Sequence, residues 1–165
     1  FYDPVACGGG AMMDLGAHPM YLSRWILGKP VTISSVFNSF TNKGVEDNAV
    51  STIEFENKAI AIAETGFVSS NSPFSLELYG TEGSLFVGGP ENTVRIMSNK
   101  IKSDIEGWIR PSKLPEALPA PTKQWVDGIL NNGTIHFGLE EGIQLTELME
   151  FAYISHREKR QVRFE

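Results

Sequence analysis

Apolar residues recur at helical spacing over residues 11–27, near the start of the chain. They share one face of an amphipathic helix: Met12, Leu15, Leu22 and Ile26. Gly28 follows the last turn and is typical of a helix end. Pro19 lies inside the pattern, where proline removes a backbone donor. We therefore expect the helix to kink or divide just after His18.

The period changes from helical to alternating over residues 31–97, which predicts β-strands. The predicted strands cover residues 31–41, 51–56, 59–68, 74–78, 85–87 and 93–97. Short turns separate most of them, so neighbouring strands should be antiparallel. Glu46 and Asp47 fall in a polar loop and are interpreted as a solvated turn.

Two helices follow an irregular segment, residues 98–120, which contains three prolines and is predicted to hold one short strand near Trp108. The helices are predicted over residues 121–131 and 139–157, and Val162 begins a last short strand. Their apolar positions are Trp125, Val126, Ile129 and Leu130 in the first helix, and Leu145, Leu148, Met149 and Ala152 in the second.

This order of elements predicts an α+β fold, with helices packed on one face of an open, mainly antiparallel sheet. We expect residues 1–165 to form a single domain, because the length is typical of one. The other sheet face must be solvated or cover a partner. The small residues Ala59, Ala61, Ala63 and Thr65 are expected on that face, where they would let a second copy approach closely.

Composition excludes several classes of protein. The formal net charge is −6 and no long run of basic residues occurs, so a nucleic-acid partner is not expected. No apolar run approaches the roughly 20 residues that span a bilayer. The single cysteine, Cys7, has no partner for an internal disulfide, which favours a reducing, cytoplasmic location. The absence of an initiator methionine suggests a fragment or a processed product.

Asp14 and His18 are the candidate chemical pair. They are four residues apart, which on one continuous helix places them on the same face, one turn apart. Three interpretations are open: a surface pair worth a few tenths of a kcal/mol, an acid/base pair in which histidine moves a proton near neutral pH, or two ligands of a metal site. The metal interpretation lacks a third ligand, since His136 and His156 are distant in sequence, so no metal site is assigned.

Three glycines, at positions 8–10, precede this pair. A helix N-terminus can bind a phosphate, but position 13 is Met13, so the run lacks the glycine spacing of a dinucleotide site. A tight bend that allows close backbone approach is the simpler interpretation.

Residues 8–19, Gly-Gly-Gly-Ala-Met-Met-Asp-Leu-Gly-Ala-His-Pro, resemble the G-G-G-x-x-x-D-x-G-x-H motif of the Gfo/Idh/MocA oxidoreductases. The resemblance continues through residues 45–50, 55–57 and 78–85, then through 125–133 and the closing helix up to Val162, so it covers nearly the whole chain in order.

This resemblance implies a two-domain enzyme of which the chain matches the C-terminal, substrate-binding and oligomerisation domain. An N-terminal Rossmann domain, absent from this chain, would bind NAD or NADP and would carry the family's catalytic lysine. No cofactor-binding residue is therefore assigned here. By motif match, His18 takes the general acid/base position and Asp14 that of the neighbouring carboxylate, which contacts substrate.

The implied activity is hydride transfer between a nicotinamide and a sugar, polyol or related hydroxy compound. The implied partners are that small molecule and a second copy of the chain, bound through the sheet face. This chain alone is expected to be inactive. The alternative is a non-catalytic dimerisation or sensing module that keeps the same fold.

Overall fold

The structure is a computed structural model that describes residues 2–101 and 106–164. Its helices and strands are α1 Pro4–Cys7, α2 Ala11–Asp14, α3 Ala17–Leu27, β1 Pro30–Asn38, β2 Asn48–Phe55, β3 Ile60–Gly66, β4 Ser75–Gly80, β5 Gly83–Gly88, β6 Thr93–Ser98, α4 Pro121–Asn131, α5 Leu139–Glu158 and β7 Val162–Arg163. The described chain groups into two compact units, residues 1–69 with 124–165 and residues 70–123.

The first unit contains a four-stranded antiparallel sheet in the order β3-β2-β1-β7. Side chains along β1 and β2 alternate between buried and exposed, since only one sheet face is covered. Helices α2, α3 and α5 cover that face, and their apolar residues join those of the strands in one core. The largest fully buried apolar side chains are Phe55, Met12, Met20, Ile33, Ile53 and Leu148.

The second unit contains a separate three-stranded antiparallel sheet, β4-β5-β6, which one isolated bridge between Ile96 and Ile109 extends. A short strand was predicted near Trp108; a single bridged residue, Ile109, is found there instead of a strand. The part of the predicted irregular segment that covers residues 102–105 lies outside the described residues. The α+β class with helices on one sheet face is confirmed, but the strands divide between two sheets.

Two helices differ from expectation. Residues 4–7, predicted as loop, form the short helix α1, capped by Asp3 Oδ1, which accepts from the backbone N–H groups of Val5 and Ala6. In α4 the predicted apolar side is exposed, with Leu130 73% and Ile129 68% accessible. Within the described residues, no helix combines the length and hydropathy that crossing a bilayer requires.

The predicted open face of the sheet is wrong for β3. Ala63 is fully buried against the core and Ala61 is half-buried, whereas Ile60 and Ile62 are 64% and 71% exposed. The register explains this, because Ala63 pairs with Ser51, which is itself buried. The side chains on both sides of this strand are apolar, so hydrophobicity alone did not show which side faces the core. The open face is therefore bulky and branched instead of small.

The loop before β2 is also not the predicted solvated turn, because Asp47 is fully buried. Asp47 Oδ1 accepts from the N–H of Phe40 at 2.8 Å, and Oδ2 accepts from the N–H of Thr41 at 2.7 Å. Burial raises the pKa of Asp47, but these two backbone hydrogen bonds, together with side-chain hydrogen bonds that include one from Asn48, outweigh burial and hold the pKa below its ordinary value. The carboxylate thus closes the loop between β1 and β2.

The glycine run brings the chain against this same loop. The N–H of Ala11 donates to the carbonyl oxygen of Glu46 at 2.9 Å. A Cβ on Gly10 would overlap that carbonyl, so only glycine permits the contact. This confirms the interpretation of the run as a bend for close backbone approach.

Gly10→Ala should destabilise the protein by about 1–3 kcal/mol, the usual range for overpacking. Gly142→Ala is the matched control, because a Cβ at that position of α5 meets no atom within 4 Å. The control should stabilise by about 0.5–1 kcal/mol, because alanine favours a helix interior. Chemical denaturation measures both values. A Gly10→Ala protein as stable as wild type would contradict the close approach.

Asp47→Asn should lower the melting temperature at neutral pH, because the amide cannot accept from both backbone donors. The folded-state pKa of Asp47 lies below its unfolded value, so its stabilisation is complete above the ordinary pKa of 3.8 and is lost as pH falls through the folded-state pKa. The difference between wild type and variant should therefore shrink under acid. Thermal melts from neutral pH to about pH 2 test this, and a constant difference would contradict it.

Candidate active site

Asp14 and His18 lie at the junction of two helices. Asp14 is the last residue of α2, and His18 is the second residue of α3. Both side chains are exposed, and neither makes a hydrogen bond or ion pair with another described residue. Both are therefore accessible to a small molecule.

The expectation that one continuous helix carries both residues is wrong. The regular bonding breaks at Gly16, whose N–H donates at 3.0 Å to the carbonyl of Ala11, which also accepts from Leu15, instead of to Met12. The N–H of His18 then donates to Leu15, at 3.2 Å, instead of to Asp14. Gly16 permits the break, since a Cβ there would overlap Met12. The relative position of the pair depends on this junction.

The predicted effect of Pro19 is wrong for the same reason. The helix divides before His18, and Pro19 is the third residue of α3. The first N–H groups of a helix have no intrahelical partner, so proline costs little there and its fixed φ suits the first turn. Pro19 therefore helps to begin α3 and does not interrupt it.

Glu46 caps α2 from a distant part of the chain. Its Oε1 accepts from the N–H of Gly10 at 2.9 Å and from the N–H of Met12 at 3.1 Å. Because its carbonyl also accepts from Ala11, three consecutive N–H groups are satisfied by one half-buried residue. The phosphate-cradle interpretation does not fit this geometry, since a carboxylate already occupies the helix N-terminus.

Tyr153 completes this arrangement. Its hydroxyl, on α5, donates to the same Oε1 of Glu46 at 2.5 Å. Burial raises the pKa of Tyr153, and the hydrogen bond from the hydroxyl to Glu46 raises it further. The phenol therefore stays protonated and remains a donor. The sequence analysis missed this contact because no periodic signal joins residues 107 positions apart.

Two side-chain contacts tie α3 to the C-terminal part of the chain. Arg24 Nε donates to Gln144 Oε1 of α5 at 2.8 Å, and the Tyr21 hydroxyl donates to the carbonyl of His136 at 3.0 Å. Trp25, the neighbour of Arg24 on α3, is 56% exposed. Helix α3 is thus held by different residues from those that hold α2.

The other two histidines belong to the C-terminal part of the chain, His156 on α5 and His136 in the loop before it. His156 Nδ1 accepts from the N–H of Phe37 at 3.0 Å, and the two rings stack with centroids 4.8 Å apart. His136 is exposed. Within residues 2–101 and 106–164, no three histidine, cysteine or acidic residues are grouped as a metal site requires.

Comparison with known sequences supports the family. Residues 1–86 match the GFO/IDH/MocA C-terminal domain. The uncharacterized oxidoreductase YrbE of Bacillus subtilis (strain 168) is 34% identical over 92 residues, which cover 50% of this chain and 26% of YrbE.

Solved structures share the fold along the chain. GenD2 from gentamicin A biosynthesis, in complex with NAD, is 25% identical with a TM-score of 0.78 over 100% of this chain and 51% of GenD2. The aldose-aldose oxidoreductase of Caulobacter crescentus, complexed with glycerol, is 19% identical with a TM-score of 0.84 over 99% of this chain and 50% of that protein. The chain thus spans about half the length of these structures and a quarter of YrbE. It belongs to the GFO/IDH/MocA family of oxidoreductases and corresponds to their C-terminal domain.

Proposed function

We propose that this chain is the substrate-binding and oligomerisation part of an NAD(P)-dependent dehydrogenase that acts on a sugar, polyol or related hydroxy compound. The observation that carries the proposal is the exposed Asp14 and His18 pair at an anchored helix junction, in the positions of the family motif. The NAD complex of GenD2 supports a nicotinamide cofactor.

His18 is proposed to accept the hydroxyl proton of the substrate as the carbon is oxidised, and to return it in the reverse direction. Histidine suits this role because its charge changes near neutral pH. The Asp14 carboxylate is proposed to accept a hydrogen bond from the substrate and so orient it toward the imidazole. A bound nicotinamide would supply the hydride acceptor.

The glycine run does not fit the phosphates of that dinucleotide, because Glu46 already accepts from the N–H groups of Gly10, Ala11 and Met12. We propose that a further, N-terminal domain binds it, as the resemblance implies. The 165 residues alone should then be inactive.

The oligomer contact is proposed on the open face of the β3-β2-β1-β7 sheet. Four exposed apolar side chains lie on it: Val36 at 73%, Val50 at 39%, Ile60 at 64% and Ile62 at 71%. Val36 and Val50 are directly opposite each other in the register. An apolar patch on a sheet favours a protein partner, and a second copy of this chain is the proposed one.

In the intact enzyme, His18→Ala and Asp14→Asn should each lower kcat by about 10²-fold or more, in line with general acid/base contributions. His136→Ala is the matched control, since His136 is also exposed and its backbone contacts do not depend on the ring. Steady-state kinetics with a cognate polyol or sugar test this. Unchanged rates in both site variants would reject the assigned roles.

The double variant Ile60→Glu with Ile62→Glu should convert an oligomer into a monomer, because two charges would be buried at the contact. Val5→Glu is the control, as Val5 is 93% exposed on α1 and off the sheet. Light scattering at tens of micromolar measures the mass. A wild-type protein that is strictly monomeric would refute the sheet contact.

A further inference from the structure

We infer that Glu46 is a positioning residue for the proposed proton-transfer pair: its carboxylate, held by Tyr153, sets where Asp14 lies relative to His18. The inference rests on the proposed function and extends it to two residues outside the motif.

Helix α2 gains little stability from its own hydrogen bonds. It has four residues, far fewer than an isolated helix needs, and no side-chain cap of its own. Glu46 provides the missing acceptors for Gly10, Ala11 and Met12. Hydrogen bonds to a charged acceptor are the stronger kind, so the start of α2 is located by this carboxylate.

The position of Gly10 directly affects the position of Asp14, because the two residues are hydrogen-bonded. The N–H of Asp14 donates to the carbonyl of Gly10 at 3.0 Å, which closes the only full turn of α2. Thr65 Oγ1 of β3 also donates to the carbonyl of Ala11, at 3.3 Å. A shift of Gly10 away from Glu46 would therefore carry the Asp14 backbone with it.

His18 would not follow such a shift, because α3 has other attachments. Its side-chain contacts run to the C-terminal part of the chain, from Arg24 to Gln144 and from Tyr21 to His136. Between the two helices the regular bonding is interrupted, since the N–H of Gly16 donates to Ala11 instead of Met12. Loss of the Glu46 contact should therefore change the spacing within the pair.

Tyr153 keeps the Glu46 carboxylate in place. Its hydroxyl donates to Oε1, and its ring packs edge-on against Phe37 with centroids 5.1 Å apart. Gly9 lies against the same hydroxyl, where a Cβ would overlap it. Two glycines of the run thus admit the two members of this contact, Tyr153 at Gly9 and Glu46 at Gly10.

The test uses Glu46→Ala and Glu46→Gln in the intact enzyme. A misplacement near 1 Å can cost on the order of 10²-fold in rate, so Glu46→Ala should lower kcat by about 10- to 100-fold and change KM much less. Glu46→Gln should restore most of the rate, because its amide oxygen still accepts. Tyr153→Phe should fall between them.

Val162→Ala separates positioning from stability. Val162 is a buried residue of β7, at the sheet edge opposite β3. It should lower the melting temperature and leave kcat of the folded enzyme unchanged. In an amide-resolved NMR spectrum, Glu46→Ala should shift the Asp14 signal more than those of α3, a readout that needs no substrate.

The outcomes separate the two proposals. If His18→Ala lowers kcat while Glu46→Ala does not, the positioning role is overturned and the proposed function stands. If His18→Ala and Asp14→Asn both leave kcat unchanged, the proposed function is overturned. A fall in kcat for Glu46→Ala without rescue by Glu46→Gln, or without a change at the Asp14 amide, also overturns the positioning role.

Discussion

The hydrogen bonds between Glu46 and the start of α2 are the constraint on which the candidate site depends. Glu46 Oε1 receives two backbone N–H groups and the Tyr153 hydroxyl, and the Glu46 carbonyl receives a third N–H. A four-residue helix gains little stability from its own turn. This set of hydrogen bonds therefore joins three segments that are distant in sequence: the glycine run, the β1–β2 loop and α5. The Glu46 carboxylate also disfavours the binding of a second anion at the N-terminus of α2, because it already interacts with the positive end of the helix.

Local patterns were enough to predict most of the fold. The strands from residue 30 to 66 alternate because helices cover one face of their sheet, and the stripe of α5 packs as its spacing requires. It was harder to predict which side of β3 faces the core, because one row contains Ile60 and Ile62 and the other contains Ala61 and Ala63, and both are apolar. Only the pairing of Ala63 with buried Ser51 decides which row faces the core.

Contacts between distant residues were not predictable from those patterns. A capping box can be recognised in a sequence from two residues three positions apart. Glu46 caps α2 across 34 to 36 positions, and no comparable sequence signal exists for such a contact. The burial of Asp47 was equally unpredictable, since a loop aspartate is usually exposed to water. This one is buried and accepts hydrogen bonds from two backbone N–H groups. The motif identified Asp14 and His18 in the sequence, but it did not identify the residues that position them.

The division of the helix at Gly16 gives the two members of the candidate pair different supports. On one continuous helix, Asp14 and His18 would keep a fixed spacing of about one turn. Here Asp14 is placed through Gly10 and Glu46, and His18 through α3 and its contacts with Gln144 and the His136 carbonyl. Their spacing then depends on how the loop before β2 and helix α5 are each attached to the sheet. A site built this way can be adjusted by residues that never touch substrate, because its two members are held by different contacts.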